Sequence, residues 1–216
     1  MAYPNNPWLP GQLNLLSLWS KCWQNNSCTC YPAAQLWQRG LPMTITYALL
    51  QDLDYIPRPM ILAELRAAFD LYAQLIPVTF QETQVYQEAD IIFEFTLIYT
   101  NDLALCTIAN PNEPRRVQFN VIYHWRLKPS KEDLPSIYGT AVHEIGHALG
   151  LEHSSYPWSY MSPLGNYDHQ KYLTTFDINN LLALYGTRRT IQDTNGSPPV
   201  IYCPQSFVLL GGSNYT

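Results

Sequence analysis

The chain has 216 residues, 47% of them hydrophobic, and a formal net charge of −5 at pH 7. That is enough length and apolar content for one sizeable core. The pI near 5.4, with no strong cluster of Lys or Arg, excludes a general nucleic-acid binder, and no apolar run is long enough for a transmembrane helix.

In chain order, residues 1–36 are rich in Pro, Asn and Trp and have no clear period. They read as an N-terminal extension. Residues 13–19 are apolar but interrupted by Asn14 and Ser17, and no positive segment precedes them, so a signal peptide is not expected here. Residues 43–49 form a short β-branched run and read as a strand. From Arg58, the positions Ile61, Leu62, Leu65, Ala68, Phe69, Tyr72, Leu75 and Ile76 recur at helical spacing. Pro59 suits a first helical turn, and Pro77 ends the pattern. Residues 78–83 and 90–97 are again short strand-like runs bounded by turn residues. The strand–helix–strand order predicts a crossover and parallel pairing. A second helix is expected after Ser136, a good N-cap, ending at Gly150. Residues 176–185 read as a closing helix with Gly186 beyond its end. Residues 187–216 contain Pro, Gly, Ser and Thr and read as a tail or linker. Arg115-Arg116 and Arg188-Arg189 are isolated pairs expected in solvent. The fold class is therefore α+β, or mixed α/β, with a twisted, mostly parallel sheet.

The second helix carries the chemistry. His143-Glu144-Ile145-Gly146-His147-Ala148-Leu149-Gly150-Leu151-Glu152-His153 reads H-E-x-x-H-x-x-G-x-x-H. Histidines at i and i+4 lie one turn apart on one face of a helix, a spacing that lets both rings bind one zinc ion. Glu144 stands beside the first ligand, where a general base must be to take a proton from metal-activated water. Gly150 permits a sharp exit with positive φ, so that His153 can return as a third ligand. Three protein ligands leave a fourth position open, as in catalytic zinc sites.

This motif resembles that of the metzincin metallopeptidases, in which a methionine-containing turn follows. Met161, with Pro163 after it, matches that turn. Ser154 directly after the third histidine, and the distance from His153 to Met161, are similar to the matrixin branch, the matrix metalloproteinases. Ile45-Thr46-Tyr47, Pro77-Val78-Thr79-Phe80 and Ala89 to Phe95 look like its first three strands, and Asp177-Ile178 and Ala183 to Gly186 like its last helix. The likeness covers about residues 37–186, taken as the catalytic domain, with 1–36 and 187–216 as flanking segments.

The resemblance implies a metzincin-like sheet with a crossover helix, an active-site helix and a C-terminal helix. It also implies one catalytic zinc held by His143, His147 and His153, and a zinc-dependent endopeptidase using Glu144 as base. Gly150 and Met161 would support the site. An extended substrate would pair with the strand near residues 103–109, touching Leu105 and Ala109, with Pro163, Leu164 and Gly165 on the opposite wall. Polypeptide substrates, extracellular-matrix proteins among them, protein inhibitors of matrixins, a monomeric state and an extracellular or secreted location follow as expectations. The competing reading is a zinc-stabilised, non-catalytic binding module or decoy of the same fold; an intact Glu144 weighs against it.

Departures from the family pattern carry further expectations. Cys106 and Gln118 stand where structural-zinc histidines are expected, Asn120 and Tyr123 where calcium-binding carboxylates are usual, and the loop after Thr96 is short. A structural zinc and calcium are therefore expected to be absent or atypical, since a hard cation needs several oxygen ligands. Cys106 reads as a small buried hydrophobe; His124 and His169 read as non-ligands. Gly165 replaces a tyrosine usual in the specificity wall. Cys22, Cys28 and Cys30 could pair with one another or with Cys203, or one could cap the metal as a thiolate. Five cysteines leave at least one without an intramolecular partner.

Overall fold

The computed structural model describes residues 36–108, 113–128, 134–163 and 171–188. The cysteines at 22, 28, 30 and 203 and His169 lie outside this set, as does most of both flanking segments. Among the described residues, five strands form one sheet: β1 (Met43–Gln51), β2 (Val78–Glu82), β3 (Ile91–Thr96), β4 (Ala104–Thr107) and β5 (Arg115–Asn120), in the order β2-β1-β3-β5-β4. All pairings are parallel except β4 against β5. Helices α1 (Arg58–Ala73), α2 (Ile137–Ala148) and α3 (Thr175–Tyr185) complete the domain. The mixed α+β class and the mostly parallel sheet are as the sequence implied. No helix among the described residues is long and apolar enough to cross a membrane.

The β1–α1–β2 crossover arises because a helix pattern sits between two short β-branched runs, and each must bury its apolar side. Helix α1 buries Ile61, Leu65, Ala68, Phe69 and Tyr72. Phe69 stacks on Tyr47 of β1 at 4.3 Å and on Phe80 of β2 at 4.7 Å between ring centroids. The aromatic packing continues through Phe95, Phe119 and Trp125. Side chains of this size each contribute roughly 1.5–3 kcal/mol on burial, so this aromatic spine is a main stabiliser of the sheet.

Helix α1 is shorter than the apolar period suggested. It ends at Ala73, and the amides of Leu75 and Ile76 both donate to the Tyr72 carbonyl, at 2.9 and 3.2 Å. Pro77 disfavours helical geometry at Ile76, so the last apolar pair belongs to a closing turn while Ile76 remains buried. Strand β5 ends at Asn120, so that Gln118 and Asn120 lie on the strand and Tyr123 beyond it.

The expectation of a solvated Arg115-Arg116 pair is corrected. The side chains alternate across β5, so only Arg116 faces water, 3.6 Å from Glu94. Arg115 is 3% exposed. Its guanidinium lies 3.4 Å over the Trp37 ring and donates to the Leu36 carbonyl at 2.8 Å. Trp37 Nε1 donates to the Tyr185 hydroxyl at 2.8 Å, and that hydroxyl donates to the Leu149 carbonyl at 2.9 Å. The start of the domain is thereby tied to the C-terminal end of α2.

Candidate active site

Helix α2 begins where the Ser136 side chain accepts the Gly139 amide at 2.9 Å. Ile137, Ala141, Val142, Ile145 and Ala148 bury its apolar side, and Tyr72 of α1 donates to the Val142 carbonyl at 2.7 Å. His143 and His147 stand on the opposite side, with ring centroids 4.6 Å apart. The helix then closes in a Schellman turn. The Leu151 amide reaches the Gly146 carbonyl at 2.8 Å, and the Gly150 amide reaches the His147 carbonyl at 2.9 Å. Gly150 has φ 95°, and a Cβ there would lie 3.1 Å from Leu36 Cδ1. This turn sends the chain back, so that His153 lies 5.2 Å from His143 and 4.7 Å from His147 between ring centroids. One ring nitrogen from each histidine falls within 4.8 Å of the others.

The protonation pattern follows from the hydrogen bonds. His143 Nδ1 lies 2.6 Å from the Tyr160 carbonyl and His147 Nδ1 lies 2.8 Å from the Leu151 carbonyl. A carbonyl can only accept, so both Nδ1 atoms carry the proton and both Nε2 atoms present lone pairs. Those two Nε2 atoms are 3.0 Å apart. Two lone pairs that close repel unless a cation lies between them, and tetrahedral zinc with bonds of about 2.0–2.1 Å sets its nitrogens at a similar spacing. Burial, with the neighbouring His147 adding to it, pushes the His143 pKa down to about 3. Burial also lowers His147 and His153. Neutral imidazoles suit zinc; the absence of oxygen donors among the three argues against a hard cation.

Beneath the histidines lies Met161, fully buried. A Cβ on Gly146 would meet its Sδ at 2.4 Å and the Tyr72 hydroxyl at 2.8 Å, so the helix and the methionine are in direct contact through a missing side chain. The Met161 turn is held at both ends. Ser154 donates its amide to the Met161 carbonyl at 2.7 Å, and the Met161 amide donates to Ser159 Oγ at 2.8 Å. Ser159 in turn donates to Asp177 Oδ2 at 2.7 Å. That same oxygen accepts the amide and the hydroxyl of Thr174, which caps α3. Ser159, Thr174 and Asp177 were not singled out as site residues in the sequence, although Thr174 and Asp177 have capping-box spacing. The carbonyls of Tyr160 and Leu151 had no signature to read.

Glu144 is buried beside the triad. Burial raises its carboxyl, the charge of Asp102 adds to this and the Cys106 amide opposes it; the result is a pKa of about 8. Cys106 lies on β4, which packs against α2 and has no strand on its other side among the described residues. It packs against the core, and burial pushes its thiol up to about 12. Leu105 on this strand is 37% exposed. Pro163 is exposed two residues past Met161. Ala109, Leu164 and Gly165 lie outside the described residues. Of the positions where the sequence departs from the family pattern, Gln118 donates to Glu94 at 2.8 Å and the Tyr123 hydroxyl donates to the Asn101 carbonyl at 2.7 Å. His124 stacks on Tyr55 at 4.6 Å.

A family model described as Matrixin matches residues 36–186. The chain is 32% identical over 176 residues to Metalloendoproteinase 4-MMP of Arabidopsis thaliana, covering 73% of this chain and 50% of that protein. It is 29% identical over 171 residues to Matrix metalloproteinase-16 of Homo sapiens, covering 70% of this chain and 28% of that protein. Interstitial collagenase B of Mus musculus is 29% identical over 153 residues, covering 66% of this chain and 32% of that protein. The chain thus spans half or less of the length of these relatives.

Proposed function

The chain belongs to the matrixin family of zinc metalloendopeptidases, and from that premise we propose that it hydrolyses internal peptide bonds of extended polypeptides. The observation that carries the reading is the convergence of three neutral histidine rings, two with Nδ1 anchored on backbone carbonyls, beside a buried carboxylate that is not one of the three. His143, His147 and His153 would hold the zinc. When bound, zinc supplies a Lewis acid that lowers the pKa of water and polarises a peptide carbonyl.

Glu144, whose ionised form a cation held by the three histidines would favour, takes a proton from the attacking water and passes it to the departing amine, so one carboxylate serves as base and then acid. Water is the nucleophile and no acyl-enzyme forms. The carbonyls of Tyr160 and Leu151 hold the ligand rings in their tautomer through the cycle. Gly150 supplies the turn that returns His153, and Met161 supports the ligand helix from below. The free edge of β4 pairs with the substrate backbone by strand addition, with Leu105 at the contact and Pro163 at the start of the opposite wall. An extracellular destination and regulation by protein inhibitors of the family belong to the same proposal.

The test is cleavage of a fluorogenic peptide by the zinc-loaded full chain. Glu144→Ala should lower kcat by about 10²–10⁴-fold while zinc stoichiometry stays at one. A variant that turns over like the wild type would remove Glu144 from the mechanism. A wild type that binds zinc and cuts nothing would favour the binding-module reading.

A further inference from the structure

The seven residues 97–103 join β3 to the edge strand β4, and their backbone is organised around one side chain. Asn120, fully buried, directs Nδ2 at the carbonyls of Ile98 at 3.3 Å, Thr100 at 3.2 Å and Asp102 at 3.0 Å. Its Oδ1 accepts the amides of Ile98 and Ile122, each at 3.3 Å. Its backbone amide donates to the Leu103 carbonyl at 2.9 Å, and its backbone carbonyl accepts Trp125 Nε1 at 2.9 Å. Carbonyls of alternate residues face inward to one nitrogen, while Leu97 and Tyr99 face solvent, Tyr99 at 94% exposure. Several backbone oxygens converging from one loop are the kind of donor set that a hard cation takes. Here a neutral amide occupies the centre.

The residue type matters. Among side chains this short, only a carboxamide offers two N–H donors on one atom and a carbonyl acceptor on another. With three carbonyls on one side and two amides on the other, a single orientation of the group satisfies the network. Aspartate has the same shape but no donor, and would set its charge among three carbonyl oxygens. Leucine would fill the space and bond nothing.

We infer that Asn120 is a positioning residue: its carboxamide does the structural work of a bound cation, holding the 97–103 loop so that β4 is presented as the substrate-pairing edge. The inference rests on the peptidase reading above. The path is short. Asp102, whose carbonyl Asn120 holds, lies two residues before the start of β4. Leu103 is bonded to Asn120 directly, and β4 runs on past Leu105 to Cys106, whose amide reaches Glu144.

The test compares wild type, Asn120→Asp and Asn120→Leu in the zinc-loaded full chain, with and without millimolar calcium. Asn120→Asp without calcium should raise KM about tenfold, the equivalent of one or two lost hydrogen bonds, with kcat nearly unchanged. Amide exchange across 98–102 should speed in parallel. Calcium, supplied to the new carboxylate and the three carbonyls, should return both readouts toward wild type. It should leave the wild type unchanged and Asn120→Leu impaired. Exchange and KM indistinguishable from wild type in Asn120→Asp would overturn the inference. So would equal damage in both variants regardless of calcium, which marks a packing role alone. If the wild type cleaves no peptide, the peptidase reading falls, and the exchange readout by itself decides the role of Asn120.

Discussion

At the scale of single residues, Gly146 shows how a helix can need a glycine that helix propensity disfavours. Replacing an exposed mid-helix glycine by alanine gains roughly 1 kcal/mol. At Gly146 the added methyl would fall 2.4 Å from Met161 Sδ and 2.8 Å from the Tyr72 hydroxyl, itself bonded to the Val142 carbonyl. Tyr72 cannot yield without straining that bond, and the fully buried Met161 side chain would have to repack within the core. Gly146→Ala should therefore destabilise the protein by about 1–3 kcal/mol, the usual cost of overpacking. Urea unfolding of the zinc-free protein measures this directly, and a stabilised variant would refute the contact.

Among the elements, the Met161 turn and α3 are stabilised by one carboxylate. Asp177 Oδ2 accepts from the Ser159 hydroxyl, the Thr174 amide and the Thr174 hydroxyl, all at 2.7 Å and all buried. Removing a buried acceptor leaves its donors unsatisfied, which costs more than the net worth of each bond. Asp177→Ala should cost about 2–4 kcal/mol; Ser159→Ala, which leaves the Met161 amide without its acceptor but keeps both Thr174 bonds to Asp177, should cost less, about 1–2 kcal/mol. The ordering of the two urea midpoints is the check. Equal losses would mean that the bonds of the carboxylate to the α3 cap add nothing beyond its bond to the turn.

Across the whole molecule, the buried phenols set a limit at high pH. Burial raises Tyr47 and Tyr185 to about 12 from an ordinary value of 10.0. Below pH 10 both folded and unfolded chains keep these protons, and their contribution to stability is fully present. Between pH 10 and 12 the unfolded chain releases protons that the fold retains, so stability falls as pH rises. The Tyr47 hydroxyl has no hydrogen-bond partner among the described residues, unlike that of Tyr185. Tyr47→Phe should therefore be neutral or slightly stabilising at pH 7, and should move the alkaline unfolding midpoint upward. Circular dichroism followed against phenolate absorbance tests both. A loss of stability at pH 7 would show that the hydroxyl has a partner.

The sequence by itself determined the features whose cause is local. Spacing of i and i+4 sets His143 and His147 on one helix face, and a glycine at the helix exit brings His153 back to them. An apolar helical period between two β-branched runs dictates a parallel crossover. Ser136 as a cap and Gly186 past the end of α3 follow from the same short-range chemistry. Tertiary structure alone decided what depends on distant chain segments meeting. Arg115 looked solvated because its burial depends on Leu36 and Trp37, nearly eighty residues earlier. The carbonyls that orient the histidine rings carry no residue signature, since every residue has one. Asn120 reads as a missing carboxylate in sequence and becomes a donor hub only when the 97–103 loop folds over it. Long-range closure assigns partners to polar groups, and a polar group's role is set by its partner.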